Sequence, residues 1–210
     1  MSKILLCMFA LFSATSFADT LSVIDPNKLP LLLAGDIPYE YTRRDEPGGS
    51  IRLEILVRAD VSELWSILTG CGKAFIFVDG LEQCDILEQT QSHAIIHQVT
   101  DPGILVPVQE YTYKSSFQPF TRMDFDMVSG TMKAIDGSWQ FVNIADGVVV
   151  IYNMHVQPFL PVPRFLVRMS IRNNMRDMLA CIRGLVDGSG SSQKRQQDLQ
   201  RCPGELGSIE

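Results

Sequence analysis

The chain has 210 residues and a formal net charge of −6, because 24 acidic side chains outnumber 18 basic ones. This length is that of one domain with a tail. The acidic balance argues against nucleic acid as a partner, since clustered basic residues set that affinity. The sequence also indicates no cofactor and no metal site.

Residues 1–18 are typical of a secretory signal peptide. Lys3 supplies the positive start, residues 4–12 form a short apolar core, and residues 16–18 (Ser-Phe-Ala) provide a small-x-small cleavage site before Asp19. The apolar run is too short to cross a bilayer as a helix, although a permanent N-terminal anchor is the alternative. A periplasmic or secreted protein that starts at Asp19 is predicted.

Residues 19–49 are predicted to be an extended N-terminal arm, with prolines and charge clusters around the apolar segment 29–34, which would pack against the domain. The alternation over residues 51–58 then indicates a half-buried strand. Asp60 is suited to cap a helix that runs to about residue 68. A second short helix is predicted within residues 73–79.

From Leu81 the apolar periodicity becomes two, which is typical of strands. The predicted strands cover residues 82–89, 92–100, 107–117, 121–129, 131–144 and 147–157. Their connections are short enough for an antiparallel meander. With the first strand this makes a seven-stranded sheet in an α+β fold.

A long helix is predicted from about Pro163 to Val186. Pro163 suits a first helical turn, where its missing N–H would have no partner in any case. One face of this helix is apolar at helical spacing. Its members are Val167, Ile171, Met175, Met178, Ile182 and Leu185.

Four cysteines follow the predicted cleavage site. An even number in an oxidising compartment suggests disulfides, with three possible pairings. We favour Cys71–Cys84, which would join the short helical region to the next strand, and Cys181–Cys202, which would tie the tail to the long helix. Free buried thiols are the alternative, above all for Cys181. Residues 188–210 are predicted to be a flexible tail.

The order of elements resembles the START-like superfamily, also called SRPBCC or polyketide cyclase/dehydrase-like. The residues that carry the resemblance are 57–68, 77–80, 136–139 and 158–165. It implies a helix-grip domain over residues 50–187, in which a seven-stranded curved antiparallel sheet wraps around a long C-terminal helix, with two short helices after the first strand. It also implies a deep apolar cavity for lipids, sterols, isoprenoids or polyketides. The superfamily shares no catalytic residue set, so no catalytic residue is predicted.

Apolar and polar residues alternate along the strands, and the apolar face of the sheet is expected to line this cavity together with the apolar face of the long helix. Asn174 lies beside that face, where its amide could bind a ligand head group. An ordinary filled core is the alternative. The predicted ligand-binding residues are Tyr111, Tyr113, Met123, Phe125, Met127, Trp139, Tyr152, Met154, Val167, Ile171, Asn174 and Met178.

Catalytic candidates are few. His93 and His97 lie about 13 Å apart on one strand, too far to share a zinc ion, and either could be a polar anchor in the cavity or a surface residue. His155 is predicted to face outward, and so are Asp124 and Asp126. The sequence contains no recognised nucleophile or phosphate-binding motif.

Arg168, Arg172 and Arg176 stack along one side of the long helix, with Arg183 continuing the line, either as a solvated face or as a basic strip that meets anionic phospholipid. Apolar loops at residues 102–107 and 159–160 would form a ligand entrance, contact a membrane transiently, or cover one another. The predicted function is binding, and transport or sequestration, of a lipid-like hydrophobic small molecule in the cell envelope. The alternatives are a cyclase or aromatase acting on a polyketide-like substrate, and a protein-interaction module with a collapsed core and an unidentified protein partner.

Overall fold

The computed structural model describes residues 23–42, 48–101, 103, 107–159, 164–188 and 192–206. The predicted signal peptide therefore lies outside the described residues, as do most of the two apolar loops. Within the described ranges, none of the helices combines the length and the apolar composition that a bilayer crossing requires.

The fold is α+β, with one antiparallel sheet and a long C-terminal helix, as the sequence predicts. The sheet order is β1-β2-β8-β7-β6-β5-β4-β3. The strands are β1 Tyr39–Thr42, β2 Gly49–Val57, β3 Leu81–Gln89, β4 His93–Thr100, β5 Gln109–Gln118, β6 Arg122–Gly130, β7 Ala134–Ile144 and β8 Gly147–Gln157. The helices are α1 Leu29–Leu33, α2 Val61–Leu68, α3 Ala74–Phe77, α4 Arg164–Val186 and α5 Ser192–Leu199.

The sheet has eight strands rather than the predicted seven. The additional strand, β1, comes from the arm and pairs antiparallel with β2, so that Tyr39 lies opposite Leu53 and Tyr41 opposite Ile51. Four residues are too few for a reliable period-two pattern. Pairing with the long strand β2 supplies the hydrogen bonds that stabilise this edge of the sheet.

Helix α2 begins where its cap predicts. The Asp60 carboxylate accepts a hydrogen bond from the backbone N–H of Ser62 at 2.7 Å, which satisfies a donor that the first helical turn leaves unpaired. Leu64 and Ile67 are buried on its inner face. α2 and α3 thereby pack on the same side of the sheet as α4.

The main core lies between α4 and the concave face of the sheet. Leu53, Ile55 and Val57 of β2 and Leu179 and Ile182 of α4 are all at most 2% exposed within it. Burial of side chains of this size stabilises the fold by about 1.5–3 kcal/mol each.

A smaller core covers part of the convex face. Leu32 of α1 is 0% exposed and packs against Leu56 of β2 and against Val149 and Ile151 of β8. The apolar segment 29–34 therefore packs against the domain as predicted, in the form of a short helix.

Residues 192–206, predicted to belong to a flexible tail, instead carry helix α5 and pack against α4. Cys181 is bonded to Cys202, and Cys71 to Cys84; this is the pairing that the sequence favours. Arg183 and Asp198 also form an ion pair at 2.7 Å, and both side chains are buried. Contrary to the prediction, Arg183 therefore does not continue the arginine row of α4, because its guanidinium turns inward to this carboxylate. The order of residues 192–206 could not be predicted from their sequence, since few of them are apolar. They are held in place by these bonds to residues that are distant in the sequence.

Two strands end the sheet, β1 on one side and β3 on the other. β3 is mostly exposed along its length, and Leu87 on it is 61% exposed. The same strand carries three carboxylates, Glu82, Asp85 and Glu88.

Candidate functional site

A cavity of about 170 Å³ lies between the concave face of the sheet and the helices α2, α3 and α4. Strands β3 to β8 supply most of its wall. The Cys71–Cys84 disulfide forms part of the wall where the helical segment meets β3. Met175 and Met178 of α4 cover it from the opposite side.

Eight of the twelve predicted ligand-binding residues line this cavity. They come from four strands and the long helix, which the fold brings together around one space. These residues are Tyr111, Tyr113, Met123, Phe125, Trp139, Tyr152, Met154 and Met178. Whether they bind a ligand stays a prediction.

Two of the predicted residues do not line the cavity. Met127 lies opposite Tyr113 at a bulge between β5 and β6, and it lies outside the lining because the register shifts there. Asn174 is turned away, since its amide donates a hydrogen bond to the Asp79 carboxylate at 3.2 Å. Val167 and Ile171 lie on α4, but their side chains fall outside the described part of the chain.

Several lining residues were not predicted. The two short helices contribute mainly apolar residues, and β4 and β5 contribute two polar ones, Gln98 and Ser115. Alternation of inward and outward residues along β4, counted from Ala94, would have placed Ile96 and Gln98 on the inward face. The unpredicted members are Leu68, Gly70, Cys71, Ala74, Phe77, Val78, Cys84, Ile96, Gln98, Ser115, Ile135 and Met175.

Aromatic rings form much of the cavity wall. The Trp139 and Tyr152 ring centroids are 4.2 Å apart, and Phe125 stacks on Tyr152 at 6.1 Å. At the end of the sheet next to α2, Trp65 packs edge-on against Phe117 at 5.6 Å. Such contacts add specific geometry to apolar burial. Trp65 and Phe117 pack beyond the lining residues at this end.

The polar groups of the cavity are neutral. The Tyr111 hydroxyl donates a hydrogen bond to the Gln98 side-chain oxygen at 3.2 Å. Burial raises the pKa of Tyr111 to about 12, and burial also raises the pKa of Tyr113 and Tyr152. Among the described residues that line the cavity, none carries a formal charge.

The three histidines lie on the convex face, away from the cavity. His93 contacts Glu88 at 3.0 Å, His97 contacts Glu110 at 3.9 Å, and the His155 Nδ1 lies 2.7 Å from Asp136. Asp124, which also faces outward, pairs with Arg122.

Across the described ranges, no three His, Cys, Asp or Glu side chains come together as metal ligands. The candidate site is therefore the cavity with its neutral polar groups.

A family model described as polyketide cyclase/dehydrase and lipid transport matches residues 57–183, more than half of the chain. The chain belongs to this family. The match begins at the end of β2 and includes α2, α3, β3 to β8 and most of α4. It therefore contains the whole sheet except β1 and most of β2. α1 and α5 lie outside it. No curated protein sequence shows significant similarity to this family member.

Solved structures share the fold at low sequence identity. A STAR-related lipid transfer protein fragment from Xanthomonas axonopodis is 16% identical with a TM-score of 0.63, over 71% of this chain and 92% of that one. The human StarD13 lipid transfer and protein localization domain is 9% identical with a TM-score of 0.61, over 72% and 85%. The Zhui aromatase/cyclase from a Streptomyces species is 13% identical with a TM-score of 0.54, over 74% and 99%. These likenesses support the helix-grip fold and no finer assignment.

Proposed function

We propose that this protein binds a hydrophobic small molecule in the cavity beneath α4, and transports or sequesters it in the cell envelope. The observation that carries the proposal is an internal space whose described wall is uncharged, with aromatic residues and methionines making up half of its members. Burial of apolar ligand surface there is worth roughly 25 cal/mol per Å². Membership in a family that includes lipid transport supports the same function.

The volume limits what the cavity holds without rearrangement. An apolar protein cavity of about 150 Å³ binds benzene, so about 170 Å³ accommodates one ring or a short chain. Methionine side chains adapt readily to different shapes, and Met123, Met154, Met175 and Met178 all line this space. A longer ligand would enlarge the cavity by displacing them.

The envelope location rests on two features of the sequence. Residues 1–18 have the order of a secretory signal. The four remaining cysteines are placed to form two disulfides, which persist in oxidising compartments. Fractionation of cells that produce the full chain, followed by mass determination of the mature N-terminus, tests this location.

Transient contact with an anionic membrane would use the arginine row of α4. The guanidinium groups of Arg168, Arg172 and Arg176 lie 5.6 to 5.9 Å from the rings of Tyr41 and Tyr39. Among the residues that the structure describes, no carboxylate lies within ion-pair distance of the row. These cations would therefore be free to meet lipid phosphates.

Two exposed apolar side chains lie near this row in sequence. Phe159 is 65% exposed at the end of β8, and Met169 is 49% exposed beside Arg168. Side chains of this kind would enter the interface once the cations are near it.

The ligand-binding proposal is tested by placing one charge in the cavity. In Met154→Glu, a carboxylate would replace a thioether in an uncharged wall, where an unpaired charge is costly. We expect dye-labelled lipid binding to fall at least tenfold. The matched control, Met154→Gln, has the same shape without the charge and should retain most of the affinity. Equal affinity in both variants, with unchanged circular dichroism, would refute the cavity as the binding site.

The membrane proposal is tested by sedimentation with vesicles of phosphatidylglycerol and phosphatidylcholine. Replacing Arg168, Arg172 and Arg176 together by Gln should weaken binding roughly 100-fold, since each cation near the surface contributes about 1 kcal/mol. Pure phosphatidylcholine vesicles should bind weakly in every case.

A charge-matched control replaces Arg58, Lys73 and Lys114 by Gln. It removes the same charge from surfaces distant in sequence from the row. Equal losses in the two triple variants would show that only net charge matters, and would contradict a defined membrane surface.

A cyclase or aromatase acting on a polyketide-like substrate is the second candidate. The observation that favours it is the group of tyrosines at positions 111, 113 and 152 in the cavity wall. The Tyr113 hydroxyl could donate a hydrogen bond to a substrate carbonyl, and those of Tyr111 and Tyr152 could do so by exchanging their present acceptors, Gln98 and Met154. If the cavity is catalytic, Tyr→Phe variants will lose turnover of a poly-β-ketone substrate while retaining its binding. Turnover that is absent from the unaltered protein would exclude this function for that substrate.

A further inference from the structure

We infer that the ligand is a neutral amphipathic molecule whose single hydrogen-bonding head group binds at Gln98, Tyr111 and Tyr113. This inference rests on the proposed function of the cavity and names the class of ligand and its orientation. Alcohols and ketones with a compact apolar body belong to this class, whereas ionised fatty acids and sulfonates do not.

The exclusion of charged ligands follows from the composition of the wall. The described lining residues include no Lys, Arg, His, Asp or Glu, so a buried anion or cation would have no counter-ion there. An ion that leaves water without a partner is strongly disfavoured. The same environment raises the pKa of the tyrosines that line it. A carboxylic acid would therefore enter only in its protonated form.

The position of the head group follows from the hydrogen-bonding groups of Gln98 and Tyr113 that have no described partner. Gln98 is 7% exposed, accepts from the Tyr111 hydroxyl at 3.2 Å and donates to the Cys84 sulfur at 3.5 Å. An amide has two N–H donors and two acceptor lone pairs, so one donor and one lone pair remain. The Tyr113 hydroxyl makes no hydrogen bond to any described residue. Gln98 is buried and Tyr113 is half-buried in the cavity wall. Polar groups that are removed from water normally have partners, and a ligand hydroxyl or carbonyl would supply one.

The orientation follows from the strand register. Gln98 and Tyr111 are cross-strand neighbours close to where β4 ends and β5 begins, and Tyr113 is two residues further along β5. From this pair the concave face of β5 continues through Ser115 to Phe117. Phe117 packs against Trp65 at 5.6 Å, beyond the lining residues at that end. The apolar body of the ligand therefore points toward Met123 and Phe125, and its head stays near the β4–β5 connection.

The exclusion of charged ligands is tested with two dyes that share one ring system. N-phenylnaphthylamine is neutral, and anilinonaphthalene sulfonate is the same skeleton with a permanent negative charge. Fluorescence titration of the mature protein should show at least tenfold tighter binding of the neutral dye. Equal or tighter binding of the sulfonate would overturn the inference while leaving a hydrophobic binding site in place.

The head-group site is tested by displacing the neutral dye with n-decanol. Tyr113→Phe and Gln98→Met each remove one hydrogen-bonding group with little change in volume, and each should weaken n-decanol binding about fivefold, the effect of one hydrogen bond. Tyr41→Phe removes the same hydroxyl at the edge strand β1, outside the cavity, and should leave the affinity unchanged. Unchanged n-decanol affinity in both cavity variants would refute the assigned head-group site.

Failure of the inference can be distinguished from failure of the proposed function. If neither dye binds and no alcohol protects the protein against heat, the cavity is not a binding site and both proposals fail. If the neutral dye binds and n-decanoate at alkaline pH displaces it as well as n-decanol does, the protein binds hydrophobic ligands, but the inferred exclusion of charged ligands is wrong.

Discussion

The two halves of α4 differ in how the rest of the molecule holds them. In the C-terminal half, residues 178–182 are at most 7% exposed, Cys181 is bonded to Cys202, and Arg183 bonds both Asp198 and the Gly35 carbonyl. In the N-terminal half, Arg168 and Arg172 contact two tyrosine rings of an edge strand, and Asn174 donates a hydrogen bond to Asp79 near the surface. The helix is therefore fixed in its C-terminal half, and Met175 and Met178, where the two halves meet, cover the cavity. Ligand entry should involve movement of the N-terminal half.

The largest expected effect comes from the buried ion pair of the fixed half. Arg183→Met would leave Asp198 buried and unpaired, and we expect a loss of about 3–5 kcal/mol in the free energy of unfolding. Urea unfolding followed by circular dichroism measures it. Arg201→Gln breaks the half-exposed pair with Asp177 and should cost at most about 1 kcal/mol. Similar losses in the two variants would show that the Arg183 contact does not fix the helix.

The second effect comes from the disulfide that ties α5 to α4. Replacing Cys181 and Cys202 by Ala removes a cross-link with a sequence separation of 21 residues, and we expect a loss of about 3 kcal/mol. The affinity for the neutral dye at low temperature should be unchanged, because the cavity is lined by other residues. A variant that keeps its stability but loses dye binding would contradict the proposed division of the helix.

A pair of truncations on α4 compares its two halves directly. Leu179 is 1% exposed in the fixed half, and Leu179→Ala should cost about 3 kcal/mol because a void replaces a packed side chain. Met175 borders a space that already exists, so Met175→Ala should cost about 1 kcal/mol and widen the cavity. Unfolding midpoints in urea measure the difference, and equal costs would mean that the core is equally packed around both positions.

The smallest effect is expected at the edge strand. Tyr39→Leu keeps an apolar side chain but removes the ring beneath Arg172 and Arg176. Global stability should hardly change, since Leu keeps the apolar packing of this half-buried position against the core. Amide hydrogen exchange in β1 should become several-fold faster, because local opening there would be easier. Unchanged exchange would show that the rings do not restrain this half of the helix.

The strands were predictable because their pattern is local. In β6, Met123 and Phe125 alternate with Arg122, Asp124 and Asp126, so the period is two and the buried face is unambiguous. β1 has no comparable signal, since its four residues depend on pairing with β2. The same is true of α5, whose few apolar residues are held by one ion pair and one disulfide to residues distant in the sequence.

The cavity wall was predictable only where the two faces of a strand differ in polarity. β8 and β6 meet that condition, and the lining residues predicted from them are correct in position except Met127. β4 does not, because Ile95 and Ile96 are adjacent and face opposite sides. Gln98 shares the inward face with Ala94 and Ile96, and this polar side chain is accommodated there because Tyr111 donates a hydrogen bond to it from the next strand. That contact exists only once the register between β4 and β5 is set.

The open edge at β3 has a consequence for handling the protein. Ile86 and Leu87 are exposed there beside unpaired backbone groups, and such an edge can recruit the same strand of another molecule. Glu82, Asp85 and Glu88 place like charges along this edge, and like charges on two copies repel each other. Replacing the three carboxylates by Gln would remove this repulsion while leaving the hydrophobic edge. Such a variant should therefore form aggregates by edge-to-edge pairing, whereas the unaltered protein should stay monodisperse.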